Sequence, residues 1–326
     1  MKYMISQSTD MAYNLALEEY VFTKLADEDF LILWVNRPGI VVGKFQNVFQ
    51  EIDMKRASLL NIPVYRRITG GGCVYHDEGN LNFSVMTRWA MAKDSYSPFL
   101  DPVLKIINAC GVKAYRSGIC NLSVNGKKFS GNAQSIYRGR ILHHGTLLFD
   151  TRLDVMSGII KTDYVHFQSK AMRSAPAPVG NLKDCPGFRV SDLGTLRQLI
   201  LTGMGCTLED SCHFSKAEEN EILSLADKKY RTWEWNIARS ATFTYDSPAD
   251  VYGNYIHIEA DQGVIRDVQI YFKTAPGEML VKAAEALRGR ALDYPRLHEL
   301  LRSYGTAGRH IEDLIFMRDG AAHRVA

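Results

Sequence analysis

Long apolar runs are missing from this chain of 326 residues. None approaches the ~18–20 consecutive apolar residues that cross a bilayer. The opening Met1-Lys2-Tyr3-Met4-Ile5-Ser6-Gln7 carries no apolar signal-peptide core. A membrane protein is therefore not expected. Paired-cysteine motifs are missing too: Cys73, Cys110, Cys120, Cys185, Cys206 and Cys212 include no C-x-x-C spacing, which argues against a zinc ribbon. Together these absences predict a cytoplasmic protein with reduced thiols. Charge of one sign is also scarce. The net charge of +3 marks neither a nucleic-acid nor a membrane-surface binder, although it permits a local basic pocket for an anion. No internal repeat or low-complexity tract stands out. What remains is ordinary globular composition, 46% hydrophobic and 23% charged. The length suits two domains at roughly 100–200 residues each.

Hydrophobic spacing places the elements. Ser8-Thr9-Asp10 starts a helix whose apolar face is Tyr13, Leu17, Tyr20, Val21 and Leu25. Phe30–Val35 and Ile40–Gly43, interrupted by Pro38-Gly39, read as a buried hairpin. Ile62–Arg67 is a further strand, and Leu81–Met86 alternates Leu81, Phe83 and Val85 with polar neighbours. Ser97-Pro98 opens a helix that ends near Gly111. Strands dominate from Val112 to Asp150. A loop covers Ala175–Gly180, and Ala217–Lys228 is a polar helix. After Trp233-Glu234-Trp235-Asn236 come a hairpin about Asp261-Gln262-Gly263 and helices over 276–288, 294–304 and 310–317. Strands and helices alternate without a repeating β-α unit, so the fold class is α+β. A boundary near Thr244–Pro248 divides a domain over 1–244 from one over 245–326.

Two segments carry chemistry. Residues 66–84 read Arg-Arg-Ile-Thr-Gly-Gly-Gly-Cys-Val-Tyr-His-Asp-Glu-Gly-Asn-Leu-Asn-Phe-Ser. Gly70, Gly71 and Gly72 permit positive φ and close backbone approach, and successive N–H groups can cradle an anion. Arg67 can hold a carboxylate or phosphate through two parallel bonds. P-loop and Rossmann glycine motifs open a helix, whereas this one runs into strand-like Cys73-Val74-Tyr75. On its own a triple glycine suits a flexible turn equally well. The second segment is Leu122-Ser123-Val124-Asn125-Gly126-Lys127-Lys128-Phe129, a type I′ hairpin by its Asn-Gly. Its register pairs Val124 with Lys127, Ser123 with Lys128, Leu122 with Phe129 and Asn121 with Ser130. One face is then core. The other carries Asn121, Ser123, Lys128 and Ser130, and Cys120 falls on the Leu122 side. Strand lysines more often face solvent, but one among hydroxyls and amides can fix a charge on a phosphate. Adjacent His143 and His144 on a strand point to opposite faces and do not share a metal.

The glycine segment resembles the signature of lipoate–protein ligase A enzymes. Lys128-Phe129-Ser130-Gly131-Asn132-Ala133-Gln134, His143-His144-Gly145-Thr146-Leu147-Leu148, Trp233–Asn236, Asn14–Glu19 and Gln46-Asn47 resemble further family motifs, in the family's order. The resemblance implies a large mixed-sheet catalytic domain of the biotin/lipoate ligase type and a small α+β accessory domain. It implies ATP and magnesium as cofactors, lipoate as substrate and a lipoyl-AMP intermediate. The acceptor is a lysine of a lipoyl domain of a 2-oxoacid dehydrogenase E2 subunit, or of the glycine-cleavage H protein. By motif position Lys128 is catalytic. Arg67, Gly70, Gly71, Gly72, Cys73, Val74 and Tyr75 bind ATP or lipoyl-AMP. Thr69, His76, Asp77, Asn80, Asn121, Ser130, His144 and Gly145 line or support the lipoate pocket. No metal ligand is assigned. Asn121 departs from the aspartate common in the family, and Cys120 beside it raises a rival, an ATP-independent transferase working through a cysteine thioester. A non-catalytic binder of lipoyl-adenylate is the third reading.

Overall fold

The computed structural model describes residues 1–25, 28–88, 95–273 and 275–316. The element order begins β1 (Lys2–Ile5), α1 (Met11–Lys24), β2 (Phe30–Trp34), β3 (Gly39–Val42), α2 (Val48–Glu51), α3 (Met54–Leu59), β4 (Val64–Arg66), β5 (Val74–His76) and β6 (Asn80–Arg88). Next come α4 (Ser97–Ala109), β7 (Tyr115–Ser117), β8 (Asn121–Val124), β9 (Lys127–Tyr137), β10 (Arg140–Leu148) and α5 (Leu153–Ile159). The remainder is β11 (Phe167–Ser169), α6 (Leu193–Gly203), α7 (Lys216–Leu225), α8 (Trp233–Asn236), β12 (Phe243–Asp246), β13 (Tyr255–Asp261), β14 (Val264–Tyr271), α9 (Glu278–Glu285), α10 (Tyr294–Arg302) and α11 (Gly305–Ile315). Met317, the last residue expected to be helical, lies outside the described residues. No helix among the described residues is long and apolar enough to cross a membrane. None of the six cysteines is joined in a disulfide.

The chain divides into two compact units. The first comprises 1–44, 64–156 and 175–232; the second comprises 45–63, 157–174 and 233–326. The first unit is built on a seven-stranded sheet in the order β1-β2-β6-β10-β9-β8-β7, with a smaller sheet β4-β3-β5. β1 runs parallel to β2, and the other pairs of the large sheet are antiparallel. Leu31, Leu33, Leu81, Phe83, Val85, Ile141 and Leu147 face Phe99, Leu100, Val103 and Ile107 of α4 and Leu196 and Ile200 of α6 in one apolar core. α1 packs on β2, β6 and β10. Its start is fixed by Asp10, whose carboxylate accepts from the Ala12 N–H.

The expected hairpin of 30–43 does not form. β2 pairs with β1 and β6, whereas β3 pairs with β4 and β5 in the other sheet. Every residue of both strands is buried. Such strands need partners on both edges, and each finds them far along the chain rather than in the other. The second unit carries the four-stranded sheet β11-β12-β13-β14 and helices α9 to α11. The turn between β13 and β14 uses Gln262 (φ 52°) and Gly263 (φ 72°), the positive-φ pair of a type I′ hairpin. Residues 244–248, the expected boundary, include most of β12.

Candidate active site

The site is assembled in the first unit from the glycine loop, the β8–β9 hairpin and β10. The loop between β4 and β5 is fixed from below. Gly43 approaches so closely that a Cβ there would stand 2.0 Å from the Gly71 carbonyl oxygen. Gly71 itself has φ of +88°, and its α-carbon faces the Arg67 guanidinium and Ala133 of β9. Arg67 makes five hydrogen bonds to the loop and to β3. Its Nε donates to Thr69 Oγ1 (2.9 Å) and Gly70 O (3.1 Å), Nη1 to Val41 O (3.2 Å), and Nη2 to the Gly70 and Gly72 carbonyls (both 2.7 Å). Four of these bonds shape the loop, and burial pushes the guanidinium down to about 10. Arg66 is likewise fully buried and donates to Gly43 O (3.0 Å).

The Asn125-Gly126 turn forms as expected, with φ of 50° and 77°. Val124 pairs with Lys127 and Ser123 with Lys128, but the register then slips. Leu122 faces Ser130, not Phe129, and Asn121 faces Gly131, not Ser130. A β-bulge opposite Leu122/Ser123 absorbs the extra residue, and Leu122, Val124 and Phe129 still enter the core. The slip sets Lys128 over a glycine: a Cβ on Gly131 would lie 2.9 Å from both Cε and Nζ of Lys128, and 3.9 Å from Asn121 Oδ1. The Lys128 backbone is anchored by Pro178 O (2.8 Å) and by the Gly180 N–H (3.1 Å). Burial draws the Lys128 amine below its ordinary 10.5; the nearby Cys120 opposes this shift and the Arg67 charge adds to it. Arg67, Cys120 and Lys128 thus share one electrostatic environment. β8 starts at Asn121, so strand alternation does not carry Cys120 away from Lys128 as the extended register implied.

The two histidines of β10 do face opposite ways. His143 stacks on Phe99 at 4.5 Å, with Gln134 donating to Nδ1 (3.0 Å) and Nε2–H donating to Asn132 Oδ1 (3.2 Å). Asn132 Nδ2 then donates to Cys120 O (2.9 Å) and Ser130 Oγ (3.0 Å), which ties β9 to the start of β8. His144 Nδ1 lies 2.7 Å from Glu18 Oε1 and its Nε2 lies 2.8 Å from Thr69 Oγ1.

The remaining site candidates brace the walls. Asp77 accepts from the Gly79 and Arg152 N–H groups (3.0 and 2.8 Å), and Asn80 donates to Asn82 Oδ1 (3.0 Å). Gly145 leaves room for Asn132 Oδ1, which a Cβ there would meet at 2.0 Å. Tyr75 is buried, and its hydroxyl is pushed up to about 12. Cys73 and Val74 are half-buried. His76 is buried, accepts from Asn36 Nδ2 at Nδ1 (2.9 Å), and burial plus the Arg67 charge lowers it to about 3. Sequence reasoning missed Gly43, Glu18 as a site residue, and Asn132. Only the recurrence of Asn14–Glu19 among the family motifs hinted at Glu18.

No group of three His, Cys, Asp or Glu side chains among the described residues converges to hold a metal ion. The chain does belong to a known family. The model of the lipoyl protein ligase A/B catalytic domain matches residues 10–204. This protein is a member of the lipoyl protein ligase A/B family. Lipoate–protein ligase 1 of Staphylococcus aureus is 31% identical over 301 residues, which are 91% of this chain and 92% of that one. Among solved structures, Plasmodium falciparum LipL1 in complex with lipoate has a TM-score of 0.61 at 19% identity, covering 97% of this chain and 99% of that one. A lipoate–protein ligase A bound with ATP has a TM-score of 0.60 at 24% identity, covering 72% and 97%. These likenesses establish a fold of the lipoate ligase type.

Two predictions follow from the packing of this family member. In Gly131→Ala the new methyl meets only the flexible end of Lys128 and displaces it. The unfolding midpoint should stay near wild type, while kcat/KM falls by roughly tenfold or more because the charge is misplaced. Steady-state kinetics beside a urea titration checks this. The second concerns acid. Unfolded, His76 takes up a proton near its ordinary 6.5; folded, it does so only near about 3. Its stabilisation is complete above about pH 6.5 and is lost as pH falls toward about 3, at up to about 1.4 kcal/mol per pH unit. His143, also held well below 6.5 by burial, acts in the same direction. Urea midpoints from about pH 7 to about pH 4 measure the slope, and His76→Asn should flatten it.

Proposed function

We propose that the protein is an ATP-dependent lipoate–protein ligase. Lys128, laid over Gly131 beside Asn121 and within electrostatic reach of Arg67 and the glycine loop, is the observation that carries the reading. The name of its S. aureus relative supports it. Lipoate's carboxylate oxygen attacks the α-phosphorus of ATP, the bond to the β-phosphate oxygen breaks, and pyrophosphate leaves with the electron pair. The acceptor lysine, once deprotonated, attacks the acyl carbonyl of lipoyl-AMP, and AMP leaves. Lys128 places positive charge where the carbonyl and phosphate oxygens gain negative charge. The loop N–H groups of Gly70–Tyr75 cradle the nucleotide, with Arg67 setting their shape from behind. Thr69, His76, Asp77, Asn80, Ser130, His144 and Gly145 support the lipoate side.

Magnesium would be brought by the ATP phosphates, as is usual in nucleotide sites, and Asn121 Oδ1, beside the Gly131 position over which Lys128 lies, would offer it a neutral oxygen. The substrate proteins are lipoyl domains of 2-oxoacid dehydrogenases or the glycine-cleavage H protein, met in the cytoplasm, where the six thiols stay reduced. Residues 245–326 act as the accessory domain. Pyrophosphate release with lipoate, ATP and magnesium tests the reading. Lipoate-dependent release is expected, and its absence from folded protein rejects it.

A further inference from the structure

Two chains of donors converge on one buried carboxylate in the first unit. Trp34 Nε1–H, which can only donate, gives its proton to Ser84 Oγ (2.9 Å). The Ser84 hydroxyl must then donate onward, and it does so to Glu18 Oε1 (2.6 Å). From the other side Arg67 Nε–H, also donor-only, points at Thr69 Oγ1 (2.9 Å). The Thr69 hydroxyl lies 2.8 Å from His144 Nε2 and can donate there or, more weakly, to Gly70 O (3.4 Å), while His144 Nδ1 donates to Glu18 Oε1 (2.7 Å). The ionised carboxylate accepts from both. Glu18, Ser84 and Thr69 are each 1% exposed or less, so water does not substitute for a missing partner. Neighbouring Glu19 is engaged elsewhere, by Lys229 Nζ (2.7 Å) and the Tyr230 hydroxyl (2.5 Å).

We infer that Glu18 is a positioning residue: through His144 and Thr69 it fixes the orientation of Arg67, and through Arg67 the shape of the glycine loop. Without an acceptor at Glu18, nothing selects the His144 tautomer whose Nε2 accepts from Thr69, and the Thr69 oxygen that receives Arg67 Nε–H loses its fixed orientation. Arg67 in turn binds the Gly70 and Gly72 carbonyls, which set the direction of the loop N–H groups. An effect thus travels from helix α1 to the nucleotide cradle through bonds alone. Partners that orient metal ligands are worth about 10–100-fold when lost, and a loss of that order is expected for this relay.

The inference rests on the ligase reading for its catalytic consequence, and a structural readout separates the two. Amide hydrogen exchange of the peptide 66–76 is measured on the full chain without ligand, beside pyrophosphate release. Glu18→Ala and Thr69→Val should both speed exchange in that peptide and lower kcat/KM for ATP by about 10–100-fold. The double variant should be no worse than the more damaging single one, because both cut the same chain. Glu18→Gln retains an amide oxygen that can accept from His144 and Ser84, so it should restore most of the protection. Unchanged exchange, losses that multiply in the double variant, or a Gln variant as damaging as Ala would each overturn the proposal. If Glu18→Ala does not fold, Thr69→Val and Glu18→Gln decide it. If the wild type releases no pyrophosphate, the ligase reading fails and the exchange data still decide the relay.

Discussion

Replacing Lys128 by alanine is expected to cut adenylation by orders of magnitude while leaving the fold in place. The expected fall in kcat/KM for lipoate-dependent pyrophosphate release is on the order of 10²–10³-fold, the size lost when one preorganised charge-stabilising donor is removed. The fold should tolerate the change, because the strand is held at this point by main chain. The Lys128 N–H donates to Pro178 O and its carbonyl accepts from Gly180, and both bonds survive truncation. Removing a partly buried amine also relieves a desolvation cost. A stability change within about 1 kcal/mol is expected. Arginine should not rescue activity, because the lysine is packed against Gly131 and a planar fork does not occupy that space. Pyrophosphate release, read beside a urea titration, separates the effects. Activity within a few-fold of wild type in a folded variant would remove Lys128 from the chemistry.

Gly43→Ala is the second large effect, and it acts through stability and activity together. The new Cβ would lie 2.0 Å from Gly71 O, 3.0 Å from Gly71 C and 3.2 Å from Gly70 C, all backbone atoms. Neither side yields cheaply. The Gly43 carbonyl is held by Arg66 Nη1, and the carbonyls flanking Gly71 are held by Arg67 Nη2. Overpacking of this kind costs about 1–3 kcal/mol. A loop displaced by about an ångström costs on the order of 10²-fold in rate. The urea midpoint and the KM for ATP report the two components. A variant with wild-type values for both would show that the loop does not need its contact with Gly43.

The order of legibility has a physical basis. Asn125-Gly126 and Asp10 were readable because each acts within a few residues, through positive φ or a cap. The bulge beyond the hairpin was not, since it depends on packing Leu122 and Phe129 into a core contributed by α4 and α6. The alternation of Leu81, Phe83 and Val85 was readable as a strand, but it did not say what covers the polar residues Asn80, Asn82 and Ser84 between them. All three are buried at 0–1% exposure. Ser84 donates to Glu18 of α1, Asn80 donates to Asn82, and Asn82 donates to the Trp34 carbonyl. Arg67 was legible as a site residue but not as an internal scaffold, since the carbonyls it holds include Val41, 26 positions away.

By itself the sequence determined the α+β class, the family, the glycine loop and the lysine, because these are written in local turn chemistry and in ordered motifs. Only the tertiary structure decided that residues 30–43 split between two sheets, that Lys128 rests on Gly131, and that Glu18 meets His144 across 126 positions. Such pairings depend on which strands neighbour one another. That choice is made by burying whole faces, not by the residues on either side of a motif.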